Sequence, residues 1–306
     1  MRKIIREFVP PILLKVFRLN RRKKGGLVSL QEDISTLTQK YNLQLPNESV
    51  IIGNGPSCQQ FLEKHLSFLS GKSIFCVNAF ATSEYFVQVK PQFYVFADPA
   101  YWSKNEFSPL KSVLFNTYEN LKNGVDWKLF LMFPVIAKEW NFAINLPTEN
   151  PNIEIVYFNS WNDDSTLNKF EKYKANLEMP VCQTVTIPTL FLSLNLGFKS
   201  NFLVGVDMSL HECVSVNSEN VVCIREKHFY DVEKTILKPF YRDIDSINTP
   251  NEIIKMDELF HRFSVMFKGF MELEDYSKFL NAKVYNLSPE SYVDAFERMN
   301  LDDISV

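Results

Sequence analysis

The chain has 306 residues, 46% hydrophobic and 23% charged, enough to bury a large core in one sizeable domain. Its five cysteines (Cys58, Cys76, Cys182, Cys213, Cys223) are an odd number without a C-x-x-C pair, which argues against a disulfide framework and a zinc site and fits a reducing compartment. The net charge of −3 is unevenly placed: residues 1–24 carry +8 and the remainder −11, and an acidic remainder with no basic, aromatic-interleaved patch argues against nucleic acid as a partner.

In chain order, the basic arm comes first. Pro11 suits the first turn of a helix in which Ile12, Leu13, Val16 and Phe17 share one face and Lys15, Arg18 and Arg22 the other. A basic amphipathic helix of this kind lies on an anionic membrane surface, and no apolar run reaches the roughly 18 residues that a span requires. Pro10-Pro11 splits the N-terminal apolar segment and no small-residue cleavage site follows, so no secretory signal is expected. The expected organisation is a membrane-associating arm over residues 1–26 and one domain over 27–306, peripheral at the inner face of the cytoplasmic membrane.

Gly25-Gly26 closes the arm, and residues 29–41 read as a helix with Ser29-x-x-Glu32 as a capping box. Val50-Ile51-Ile52 reads as a buried strand that runs into Gly53-Asn54-Gly55-Pro56-Ser57, with helix over 58–64. Gly53 and Gly55 permit positive φ and close approach of backbone to a ligand, and Pro56 fits a helix start. The helix N-terminus beyond them favours phosphate. The plain alternative is a tight strand-to-helix connection with no ligand. Apolar runs at 73–77, 92–97, 129–133 and 153–158 read as further strands separated by helical or irregular stretches. That alternation predicts an α/β, Rossmann-like, mostly parallel sheet with helices on both faces. Ligands of such sheets sit beyond the carboxyl ends of the strands, where Asn54, Asn78 and Asp98 fall.

In the second half, residues 185–196 read as a buried helix with Pro188 in its first turn, and 201–206 as a central strand ending at Asp207. Residues 211–227 read as a polar hairpin turning at 217–220, 251–279 as a long amphipathic helix and 283–286 as a last strand. Of the four histidines, His65 and His261 fall inside helical patterns, where a structural role is the default. His211 and His228 flank the excursion after Asp207, at the ligand-facing edge, where a group titrating near neutrality suits general-base work. Asp243-Ile244-Asp245 is the one D-x-D; it has no strand before it and reads as a solvated acidic stretch.

Four blocks occur in a telling order: VIIGNGPS at 50–57, FCVN at 75–78, YVFADP at 94–99 and LGFKSNFLVGVD at 196–207. In that order they resemble bacterial sialyltransferases of glycosyltransferase family 42. The chain is similar also to the wider group of flagellin glycosyltransferases and proteins related to 6-hydroxymethylpterin diphosphokinase, in which segments like EKHFYD (226–231) and NLSPES (286–291) recur. The resemblance implies a metal-independent, cofactor-free transferase that moves a sialic-acid-like sugar from a CMP donor to a glycan or glycolipid acceptor, in surface polysaccharide or lipopolysaccharide synthesis. It implies His228 as the base, with Gly53, Asn54, Gly55, Pro56, Ser57, Asn78, Asp98, Thr184, Asp207 and Ser209 on the nucleotide or donor side. His211, Tyr230 and Ser288 become candidate substrate contacts.

The departures point to the wider group and leave the donor open. Cys182-Gln183-Thr184-Val185-Thr186 stands where the sialyltransferases have Arg-Ile-Thr-Ser-Gly, so Thr184 alone is kept. Met208-Ser209 replaces their aromatic pair, and Asp98-Pro99 their Asn-Pro. The alternative is a magnesium-dependent, diphosphokinase-like phosphotransferase, with Asp98 and Asp207 converging on the metal. Monomer and homo-oligomer both stay open.

Overall fold

The computed structural model describes residues 34–103, 111–162, 167–225, 237–242 and 252–303. The basic arm, the Ser29/Glu32 pair, His228, Tyr230 and the Asp243/Asp245 stretch lie outside the described residues. Helix α1 (Ile34–Lys40) precedes β1 (Glu48–Ile52), α2 (Ser57–His65), β2 (Ser73–Val77), α3 (Phe86–Val89) and β3 (Phe93–Val95). Then come α4 (Lys111–Gly124), β4 (Leu129–Pro134), α5 (Leu146–Glu149), β5 (Ile153–Phe158), α6 (Lys169–Lys174) and α7 (Thr186–Asn195). The chain continues through β6 (Ser200–Val204), β7 (Val214–Val216), β8 (Val222–Ile224), β9 (Lys238–Pro239), α8 (Met256–Phe279), β10 (Lys283–Asn286) and β11 (Glu297–Arg298).

Among the described residues, eight strands form one sheet in the order β11-β10-β6-β1-β2-β3-β4-β5, every neighbouring pair parallel. From β1 the chain builds outward to β5, then returns to lay β6 on the other side of β1. The strand order therefore reverses between β1 and β6, and a crevice opens at such a switch point beyond the strands' carboxyl ends. The sheet is buried on both faces, which is why its strands read as continuous apolar runs. Ile51, Phe75, Val77 and Phe93 point toward α1, α7 and α8, in one core with Ile187, Phe191, Phe270 and Leu273. Val50, Ile52, Cys76 and Tyr94 point to the other core, with Phe61 and Leu62 of α2, Phe86 of α3 and Leu121 of α4. Phe75, Phe93 and Phe130 stack across three strands at centroid distances of 4.6 and 5.7 Å.

A buried polar knot sits within the first core. Ser49 Oγ and Ser193 Oγ are 2.7 Å apart, and both donate to Asn201 Oδ1, at 2.9 and 2.6 Å. It ties β1, α7 and β6 together at the strands' amino ends. β7, β8 and β9 form a small antiparallel sheet of their own.

Several predicted bounds shift for identifiable reasons. The strand expected over 201–206 stops at Val204, because Gly205 turns left-handed at φ +64°. The strand expected over 92–97 keeps only Phe93–Val95, and the long helix starts at Met256. Among the described residues, no helix is long and apolar enough to cross a membrane.

Candidate functional site

The turn after β1 stays hydrogen-bonded to the β6 end: Gly53 N–H donates to Val204 O at 2.7 Å and Gly55 N–H to Gly205 O at 2.9 Å. Neither Gly53 nor Gly55 adopts a positive φ, contrary to the sequence expectation; Gly205 does. The missing side chains serve contact between two backbones. A Cβ on Gly53 would lie 2.5 Å from Gly205 O, and one on Gly55 would fall on the Asp207 carboxylate.

Asp207, expected on the donor side, stands at the N-terminus of α2. Its carboxylate is 5% exposed and accepts the Ser57 N–H at 3.1 Å, at the first turn of α2. Pro56 at the N-cap has no side-chain hydrogen bond to offer, so an acid three residues past β6, 150 residues away, caps the helix instead. Burial pushes the Asp207 pKa up, partly offset by its hydrogen bonding to Ser57. The Ser57 hydroxyl lies close enough to favour the charged carboxylate, yet makes no hydrogen bond of good geometry among the described residues.

The segment after β10 holds the β6 end in place. Ser288 Oγ accepts the Val206 N–H at 2.9 Å, Ser291 Oγ donates to Val206 O at 2.6 Å, and Tyr292 N–H donates to Asp207 O at 2.8 Å. Ser288, expected as a substrate contact, is 1% exposed and engaged with backbone. Gly205 and Ser291 lie inside the quoted blocks 196–207 and 286–291 without being singled out as site residues, and Tyr292 lies just past them. Gly205 had a visible signal, a glycine at a strand end just before Val206-Asp207, matching Gly53 after β1.

The neighbouring strand ends supply the unmet polarity. Asn54 Nδ2 donates to Val77 O at 3.2 Å, which fixes its amide and leaves Oδ1 turned away. That Oδ1 is buried without a partner among the described residues, and so is Asn78 Oδ1 just past β2. Asn78 is itself held in a left-handed backbone, φ +46°, its carbonyl accepting from Tyr94 Oη at 2.7 Å. A buried acceptor left unpaired costs about 1–3 kcal/mol. Two stand at adjacent strand ends, and each such group in a folded protein calls for an explanation. Both atoms are amide carbonyls, so their complement is a hydroxyl, an amine or an N–H, not a bare anion.

Asp98, past β3, accepts the Ala100 N–H at 2.9 Å and caps the short turn Pro99–Tyr101. Cys182 lies near it: burial and then the Asp98 charge push its thiol up to about 12. The Asp98 charge is thus felt at Cys182, two residues before Thr184. Cys182 Sγ–H donates to Thr184 O at 3.7 Å.

Beyond Asp207, Met208 is left-handed at φ +53° and Ser209 starts the turn Leu210–Cys213. His211 packs edge-on against the Tyr292 ring, centroids 4.2 Å apart, and Tyr292 Oη donates to Glu212. His228 and Tyr230 are not described, but their flanks are. Arg225 N–H donates to Cys213 O at 2.9 Å, and Ile224 pairs with Lys238. Both flanks thus lie at the end of the small sheet nearest the turn that follows Asp207.

No family model matches the chain, and no curated protein does. Among solved structures it is similar to the MAf glycosyltransferase of Magnetospirillum magneticum AMB-1 (14% identity, TM-score 0.45), over 86% of this chain and 35% of that one. It is similar also to the sialyltransferase CstII of Campylobacter jejuni in complex with the substrate analogue CMP-3FNeuAc (17% identity, TM-score 0.41), over 82% of this chain and 85% of that one. A structure of the same sialyltransferase with cytidine-5′-monophosphate matches at 17% identity and TM-score 0.40, over 85% of this chain and 88% of that one.

Proposed function

We propose that the chain is a glycosyltransferase that binds a nucleotide-activated sugar at the β1/β6 switch point. The observation that carries this reading is the pair of buried, unpartnered carbonyl oxygens, Asn54 Oδ1 and Asn78 Oδ1, at adjacent strand ends. They fit the hydroxyl groups of a sugar or ribose. The four sequence blocks that resemble family 42 converge on the same edge of the sheet. In this reading the Ser57 hydroxyl meets the leaving phosphate, while Asp207 fixes the turn that carries Asn54 and Ser57. Thr184 and Ser209 flank the donor, and no metal is used. The donor is a CMP-linked sialic-acid-like sugar and the acceptor a glycan or glycolipid. His228 takes the acceptor hydroxyl's proton as its oxygen attacks the anomeric carbon and CMP departs. The arm over residues 1–24 holds the enzyme on an anionic membrane. The phosphotransferase alternative needs Asp98 and Asp207 as metal ligands; both carboxylates already accept backbone N–H groups, and no observation favours it.

Thermal unfolding with CMP, UDP, GDP and ATP, each with and without magnesium, tests the reading, because a ligand of the folded state raises the midpoint. CMP should raise it without magnesium. Stabilisation by ATP alone, and with magnesium only, overturns the proposal. For the base, His228→Ala should lower turnover about 10²–10⁴-fold while nucleotide affinity holds. Near-normal turnover removes His228 from the mechanism.

A further inference from the structure

A pocket of about 70 Å³ opens along α2 and has Ser57, the residue capped by Asp207, in its lining. One side is a single helix face, on which Ser57, Gln60, Phe61, Lys64 and His65 recur at spacings of three and four residues. The other side is Pro289, in the segment after β10, with Asn300 and Asp302 at the turn Leu301–Asp303.

Its chemistry complements that of the strand ends. The crevice presents amide carbonyls and the carboxylates of Asp98 and Asp207, whereas this pocket brings together two basic side chains, Lys64 and His65. Asn300 Oδ1 accepts the Asp302 N–H at 3.1 Å, which orients its amide and leaves the NH₂ to donate elsewhere. The Asp302 carboxylate stands 3.6 Å from His65 Nε2, with 69% of its side chain exposed against 26% for the histidine. A contact this long and this exposed contributes little to stability, so Asp302 holds its place beside His65 only weakly.

We propose that this pocket is an oxyanion subsite, holding a phosphate or carboxylate group of the molecule that reacts in the crevice. Asp302 is the resident carboxylate that this group displaces from His65. Lys64 supplies the charge, and α2 is the link: Ser57 in its first turn lies by the crevice, while Lys64 and His65 stand in its last turn. The link to the crevice rests on the transferase reading; the binding of an oxyanion does not.

Inorganic phosphate and acetate, titrated separately into the full chain with the His65 ring signals followed by NMR, test it. A saturable shift with at least one of them, in the millimolar range, supports the subsite. Saturation by phosphate alone assigns a phosphoryl group, and by acetate alone a carboxylate. Lys64→Ala should weaken the response about tenfold and Asp302→Asn should tighten it several-fold; both positions lie at the surface, so the fold is kept. Absence of saturation with either anion, or an unchanged titration in Lys64→Ala, overturns the proposal. Because CMP stabilisation is read separately, loss of the transferase reading and loss of this subsite give different results.

Discussion

A methyl group on Gly205 would lie 2.6 Å from Gly53 O and 2.7 Å from Cys58 Cβ, at a φ of +64° that side-chain-bearing residues rarely adopt. Gly71 provides a natural control: its φ is +74°, and nothing lies within 4 Å of the added Cβ. Gly71→Ala therefore meets only the left-handed backbone penalty, about 1–2 kcal/mol. Gly205→Ala meets that penalty plus an overpacking cost of about 1–3 kcal/mol. Urea unfolding should show both midpoints falling, Gly205→Ala clearly further. Equal falls would mean that the crossing of the two turns has slack. The same contact accounts for the two glycines of the first turn without a ligand: they are needed for the crossing itself. The inner side of that turn faces the 205–207 stretch, and the first N–H of α2 already has an acid in Asp207.

At the scale of elements, local chemistry was legible and long-range pairing was not. β1, β2, β4 and β5 stand within two residues of their predicted bounds, because a strand buried on both faces is a short unbroken apolar run. Asn54, Asn78, Asp98 and Asp207 were found as candidates because a polar residue ending such a run is also a local signal. β11 is a pair of exposed charged residues, Glu297 and Arg298, so no pattern announces it. The Ser49–Ser193–Asn201 knot joins residues up to 152 positions apart, each looking alone like an interruption of an apolar stretch. Return of the chain to place β6 beside β1 is likewise written in no local stretch. Yet that return creates the switch point, joins Asp207 to Ser57, and turns a list of strand-end residues into one crevice.

At the scale of the whole molecule, charge separates what the fold joins. Residues 1–24 carry +8 and the rest −11, so the domain alone is repelled by an anionic bilayer while the arm is drawn to it. Each Lys or Arg near such a surface contributes about 1 kcal/mol, less as salt rises. Among the described residues, both cores, the knot and the crevice are built from residues 34–303, and the expectation is that they stand without the arm. The full chain should therefore sediment with phosphatidylserine vesicles at low salt and come off at high salt. A chain of residues 25–306 should stay in solution at both, with its thermal midpoint and its response to CMP unchanged. If the full chain ignores the vesicles at low salt, the arm is no anchor. If the truncated chain unfolds early, the arm belongs to the core, and its basic face was selected for packing.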